Sequence, residues 1–128
     1  MMLIHRLLNL VYRHWLALTL LWLSAITILS LSPLDQLPPF PGTDKTHHFI
    51  AYGALVFPVA WRQPRHWPVL VLLMLGWSGA IELIQPYTNR YGEWLDLAAN
   101  GGGLLCGLSL AQILRFLTQP PSAQPRDP

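Results

Sequence analysis

From Trp15 to Leu34 the chain runs without a charged residue, and this stretch restricts the possible folds more than any other feature. As a helix rising 1.5 Å per residue it reaches about 30 Å, the thickness of the hydrocarbon core of a bilayer. The run is longer than the apolar region of a secretory signal, and no Ala-x-Ala cleavage site follows it, so an uncleaved membrane anchor is expected. Composition agrees. Of the 128 residues 52% are hydrophobic and 11% charged, against about a quarter charged in a soluble domain. Intrinsic disorder, which needs low hydrophobicity and high charge, is excluded.

Three further apolar runs follow: Thr46 to Trp61, Trp67 to Ile81, and Leu97 to Leu114. The second and third runs are shorter than the roughly 17–25 residues of a free-standing span, so they cross only if polar residues join the helix. The fourth is rich in Ala and Gly, as in helices that pack closely inside a bundle, and Gly103 and Gly107 form a small-xxx-small face. The expected fold is therefore all-α, a polytopic membrane protein with four transmembrane helices in a bundle. Its domain spans residues 15–116, between a basic N-terminus at 1–14 and a Pro-rich disordered tail at 117–128. Between the first two spans, Pro38, Pro39 and Pro41 predict a stiff extended loop.

Charge placement gives direction. Arg6 and Arg13 precede the first span, Arg62 and Arg65 lie between the second and third, and Arg115 follows the fourth. The positive-inside rule places these regions, and both termini, in the cytoplasm. The eight Lys and Arg residues flank apolar runs instead of clustering, so the pI near 9.0 reflects membrane orientation and not a nucleic-acid partner. Four of the six tryptophans, Trp15, Trp61, Trp67 and Trp94, stand at expected span ends. Cys106 is the single cysteine, so it has no internal disulfide partner.

The informative residues are those the spans must absorb against their apolar character. Asp44, His48 and Tyr52 recur every four residues and share one helix face. Glu82 and Gln85 lie in the last turn of the third span, and Asp96 and Asn100 in the first turns of the fourth. Three helices thus bring polar groups to one depth, near the outer surface. A carboxylate in hydrocarbon costs about 2.5–3.5 kcal/mol even on lenient scales, so groups at that depth face one another and pair. Lys45, His48 and Arg90 are the cations available to Glu82. Histidine is the side chain whose ordinary charge change lies nearest neutrality, so His48 is the proton-transfer candidate, with Glu82 and Asp96 beside it as further catalytic candidates.

Plainer readings stand next to these. Asp44 and Asp96 would also serve as helix caps, and Glu82 and Gln85 as polar glue between helices. Asp, His and Glu at one depth could also chelate a divalent metal, but no HxxxH or HExxH spacing occurs, so a metal site is not expected, nor is a cofactor. Gly-x-Ser-x-Gly and phosphate-binding Gly loops are missing, Ser78 has no acid-base partner at evident spacing, and no known reaction class leaves its signature.

Asp44-Lys45-x-x-His48-x-x-x-Tyr52, then Glu82-x-x-Gln85, then Arg90 and Asp96-x-x-x-Asn100-x-x-Gly103, resembles the VanZ-like family of small bacterial membrane proteins in every element and in order. The resemblance covers residues from about 24 to 110, and Ser30-Leu31-Ser32-Pro33 fits the end of the family's first span. Gly92-Glu93-Trp94 departs from the small or Ser/Pro residues more usual in that loop. The resemblance implies a role in the cell envelope and low-level glycopeptide resistance in the founding member, without an agreed biochemical activity. Two classes of function follow. In one, Asp44, Lys45, His48, Tyr52, Glu82, Gln85, Arg90, Asp96 and Asn100 line a site for an anionic envelope lipid or cell-wall precursor. In the other, the same cluster is structural in a scaffold that docks a membrane-protein partner.

Overall fold

A computed structural model describes residues 1–33, 35 and 42–118. Among them the chain forms five α-helices and no strand: α1 (Met2–Arg13), α2 (Trp15–Leu31), α3 (Asp44–Arg62), α4 (Trp67–Ile84) and α5 (Trp94–Thr118). A 3-10 turn at Gln85–Thr88 prolongs α4, and Asn89 in the left-handed region ends it. The proline loop before Gly42 and the Pro-rich tail fall on or next to residues 34, 36–41 and 119–128, outside the described residues.

Helix α3 is the centre. Tyr52, Leu55, Val56 and Val59 are buried along it, and Ile26 of α2, Met74 and Ile81 of α4 and Leu104 of α5 close around them. This position explains why its sequence is less apolar than that of its neighbours. A helix surrounded by protein needs lipid-like side chains on little of its surface, whereas α2, α4 and α5 expose Leu16, Leu20, Leu21, Leu72, Leu73, Leu83, Leu105 and Leu110 outward. Hydroxyls within these apolar helices are satisfied one turn back: Thr19 donates to the Trp15 carbonyl, Thr27 to Leu23 and Ser109 to Leu105.

Helices α3 and α5 run parallel and in register. His48 pairs with Asn100, Gly53 meets Gly107, and Arg115 donates to the Trp61 carbonyl, at nearly constant separations along the chain. Glycine permits the approach: a Cβ on Gly103 would collide with the Phe49 carbonyl, and one on Gly107 with the Gly53 carbonyl and the Val56 side chain. The small-xxx-small face read from the sequence is therefore the α3–α5 contact. Helix α4 returns antiparallel, so Glu82 near its end meets the starts of α3 and α5.

By length and apolar character two helices qualify as membrane spans, α4 with its 3-10 extension (Trp67–Thr88) and α5; α1 and α2 qualify only as a pair bent by 80°. The structure thus supports a membrane-type helical bundle of two spans, or three if the bent pair counts as one. It also adds a helix where the sequence reading placed only a basic N-terminus. Helix α1 is strongly amphipathic and buries no residue. It is held at the Arg62 end of the bundle, where Trp61 Nε1 donates to the Leu8 carbonyl (3.0 Å) and Arg62 Nη1 to the Tyr12 hydroxyl (2.8 Å). The Arg62 guanidinium also stacks 4.3 Å from the Tyr12 ring centre.

Candidate polar site at the His48 end of the bundle

Thr43 and not Asp44 caps α3, its hydroxyl accepting the Thr46 N–H at 3.2 Å. Asp44 becomes the first helical residue, and its carboxylate, more than half exposed, faces His48 one turn on, with Oδ2 3.8 Å from Nε2. Asp96 is likewise inside its helix, since α5 begins at Trp94, and its side chain is only 3% exposed. Both carboxylates thus stand in the first turn of a helix, where an acid suits the dipole, and each also faces His48.

A chain of buried polar groups crosses the bundle behind them. His48 Nδ1 lies 3.0 Å from Asn100 Oδ1, and Asn100 Nδ2 donates to Ser78 Oγ at 2.6 Å. Tyr52, one turn below His48, is buried at the same end of the bundle. Asn100 and Ser78 are both essentially inaccessible to solvent. Three helices are joined at this level, as the matching depths predict. Ser78 is the member the sequence reading missed, because a serine partnered 22 residues away leaves no local spacing signal.

The ion pairs sort differently from expectation. Lys45 Nζ sits 2.5 Å from Glu93 Oε2 and 2.5 Å from Asp96 Oδ1, with no contact to Glu82. Glu82 Oε2 instead accepts the Glu93 backbone N–H at 3.0 Å, while its Oε1 is buried without a hydrogen-bond partner. Gly92 makes this possible: a Cβ there would strike the Glu82 carbonyl, so the loop lies directly on the end of α4. The Gly92-Glu93 segment that departs from the family pattern thus supplies both a carboxylate and an N–H to the cluster. Glu93 was not among the residues singled out from the sequence.

Gln85 and Arg90 take another role. Gln85 Nε2 donates to the Ser30 carbonyl at 3.1 Å, and Arg90 Nη1 approaches the Ser32 carbonyl at 3.5 Å. Both serve the C-terminal turn of α2, whose last carbonyls have no partner within their own helix. The structure therefore gathers Asp44, Lys45, His48, Glu82, Asp96 and Asn100 around Tyr52 and Ser78, and directs Gln85 and Arg90 to the neighbouring helix end.

A helical membrane-type bundle with a buried His-Asn-Ser chain and a carboxylate-rich mouth is the class these features define. The family model described as VanZ/LLP1 matches residues 2–115, and the chain belongs to that family. No curated protein and no solved structure matches the chain significantly.

Proposed function

We propose that the protein is a multi-pass component of the bacterial inner membrane whose polar site, at the outer leaflet, engages the head group of an anionic envelope lipid or cell-wall precursor. In this reading α2 to α5 cross the membrane as four spans with both termini cytoplasmic. Helix α1, turned 80° from α2 and carrying Arg6 and Arg13, lies along the cytoplasmic interface. The observation that carries the proposal is the polar investment at the His48 end: the buried His48-Asn100-Ser78 chain and the unpartnered Glu82 oxygen exceed what a helix end needs to be stable. His48, Glu82 and Asp96 are the groups able to move a proton there if a reaction is catalysed.

The scaffold reading has its own support, since Gln85 and Arg90 spend their donors on carbonyls of α2. Deletion of the gene followed by complementation separates the two. With wild-type membrane levels of each variant, loss of protection against glycopeptides or detergents in His48→Ala and Glu82→Ala supports the ligand site. Full complementation by both, together with a stable stoichiometric membrane-protein partner on purification, supports the scaffold.

A further inference from the structure

We propose that Asp44, His48 and Asp96 form a binding site for one divalent first-row metal ion, at the mouth of the bundle. One ligand atom from each residue lies within 4.8 Å of the others. His48 Nε2 is 3.8 Å from Asp44 Oδ2 and 3.7 Å from Asp96 Oδ2, too far for a hydrogen bond to either. Two ligands held at about 2.0–2.2 Å from a common ion are at most about 4.4 Å apart, so both separations suit a shared ion. The three ligand atoms lie within 4.8 Å of one another, and Asp44, the exposed member, is first in its helix.

Two independent features aim the imidazole. Its ring is nine-tenths buried, and the hydrogen bond from Asn100 Nδ2 to Ser78 leaves Asn100 Oδ1 to take the Nδ1 proton of His48. With Nδ1 so engaged, Nε2 is the ring atom left facing the two carboxylates, at ligand-to-ligand distances and without a hydrogen bond to either. Metal-bound histidines usually give their other N–H to an oxygen acceptor in this way. Lys45 does not fill the position: its ammonium is on Asp96 Oδ1, leaving Oδ2 towards His48.

Charge points the same way. Asp44, Glu82, Glu93 and Asp96 converge with Lys45 as the cation paired among them, and Glu82 stands within electrostatic range of Asp44, His48 and Asp96. A divalent ion offsets that excess. One imidazole with two carboxylates suits Zn²⁺ or Mn²⁺, and not the all-oxygen preference of Ca²⁺. The site goes beyond the head-group reading and is decided by metal content alone. It also accounts for how an acidic mouth could receive an anionic head group, through open coordination positions.

The test uses the full-length protein in detergent, stripped with EDTA and reloaded with Zn²⁺, and separately with Co²⁺ for its visible spectrum. The expected result is one equivalent of Zn²⁺ and a Co²⁺ absorption band that Zn²⁺ displaces. Asp44→Asn, at an exposed position where folding is safe, should weaken binding at least about 10-fold, and His48→Ala should abolish the band. Asn100→Ala should weaken binding about 10- to 100-fold through the ring it positions. His47→Ala and His66→Ala should leave binding unchanged. Thermal melting of each variant separates loss of ligand from loss of fold. Failure of the wild type to bind a stoichiometric ion overturns the proposal. So does unchanged affinity in folded Asp44→Asn, or a band that depends on His47 or His66.

Discussion

His48 Nδ1 stands 3.0 Å from Asn100 Oδ1, a buried bond that ties the first turns of α3 to those of α5 across 52 residues of sequence. Asn100 holds the ring on one side and Ser78 on the other, so a single amide links α3, α5 and α4. Its removal leaves two buried polar groups without partners.

Asn100→Ala should therefore destabilise the protein by about 1–3 kcal/mol, the usual penalty for orphaned buried donors and acceptors. Ser78→Ala strands only one partner and should cost less. Thermal melting of purified protein in detergent compares them; equal stability of Asn100→Ala and wild type would show that the chain is not a structural tie.

Gly103 faces the Phe49 carbonyl, whereas Gly76 on α4 has nothing within 4 Å of where its Cβ would be. Gly103→Leu should sharply lower the amount of folded protein in membranes, and Gly76→Leu should leave it near normal. Overpacking usually costs about 1–3 kcal/mol, and here the obstacle is backbone that cannot repack. Size-exclusion profiles of fluorescent fusions measure both.

The proposed four-span topology makes a directional claim. Alkaline phosphatase fused after Gly42 should be active and a fusion after Arg65 inactive, because the positive-inside rule assigns the turn with Arg62 and Arg65 to the cytoplasm. The opposite pattern would reverse the orientation and move the His48 site to the cytoplasmic face.

Glu82→Ala should keep or raise membrane insertion, since it deletes an acid from α4, and should still abolish envelope protection. Immunoblots of membrane fractions and antibiotic sensitivity give the two readouts. A fall in protein level matching that of Gly103→Leu would assign Glu82 to structure.

Arg90→Lys tests which role the guanidinium plays. The guanidinium approaches the Ser32 carbonyl, which a lysine ammonium can also reach, so a structural Arg90 should tolerate the change in a melting assay. A variant that melts normally and loses protection would show that the planar fork grips a ligand.

Much of the bundle was legible in the sequence because its signals are one-dimensional. An apolar run of given length, the four-residue recurrence of Asp44, His48 and Tyr52, and Gly103 with Gly107 each follow from helix geometry alone. Helix α1 was missed because its apolar residues are interrupted by His5, Arg6 and Arg13, which a search for uncharged runs passes over, although Leu3, Leu7 and Leu10 keep a helical spacing. The fourth apolar run ends at Leu114 and the expected domain at residue 116, whereas α5 continues to Thr118, with Arg115 donating to the Trp61 carbonyl, a partner not visible in the sequence.

The sequence by itself determined that polar groups of three helices share one depth, since depth follows from residue count and rise per residue. The tertiary structure alone decided who pairs with whom. Lys45 chose Glu93 and Asp96 over Glu82, Gln85 and Arg90 turned to the carbonyls of α2, and Ser78 joined His48 through Asn100. Periodicity fixes a side chain's height and face to within a turn, while a hydrogen bond depends on a few tenths of an ångström. That distance is set by how closely Gly53, Gly103 and Gly107 let α3 and α5 approach, and by how Gly92 folds its loop onto the end of α4.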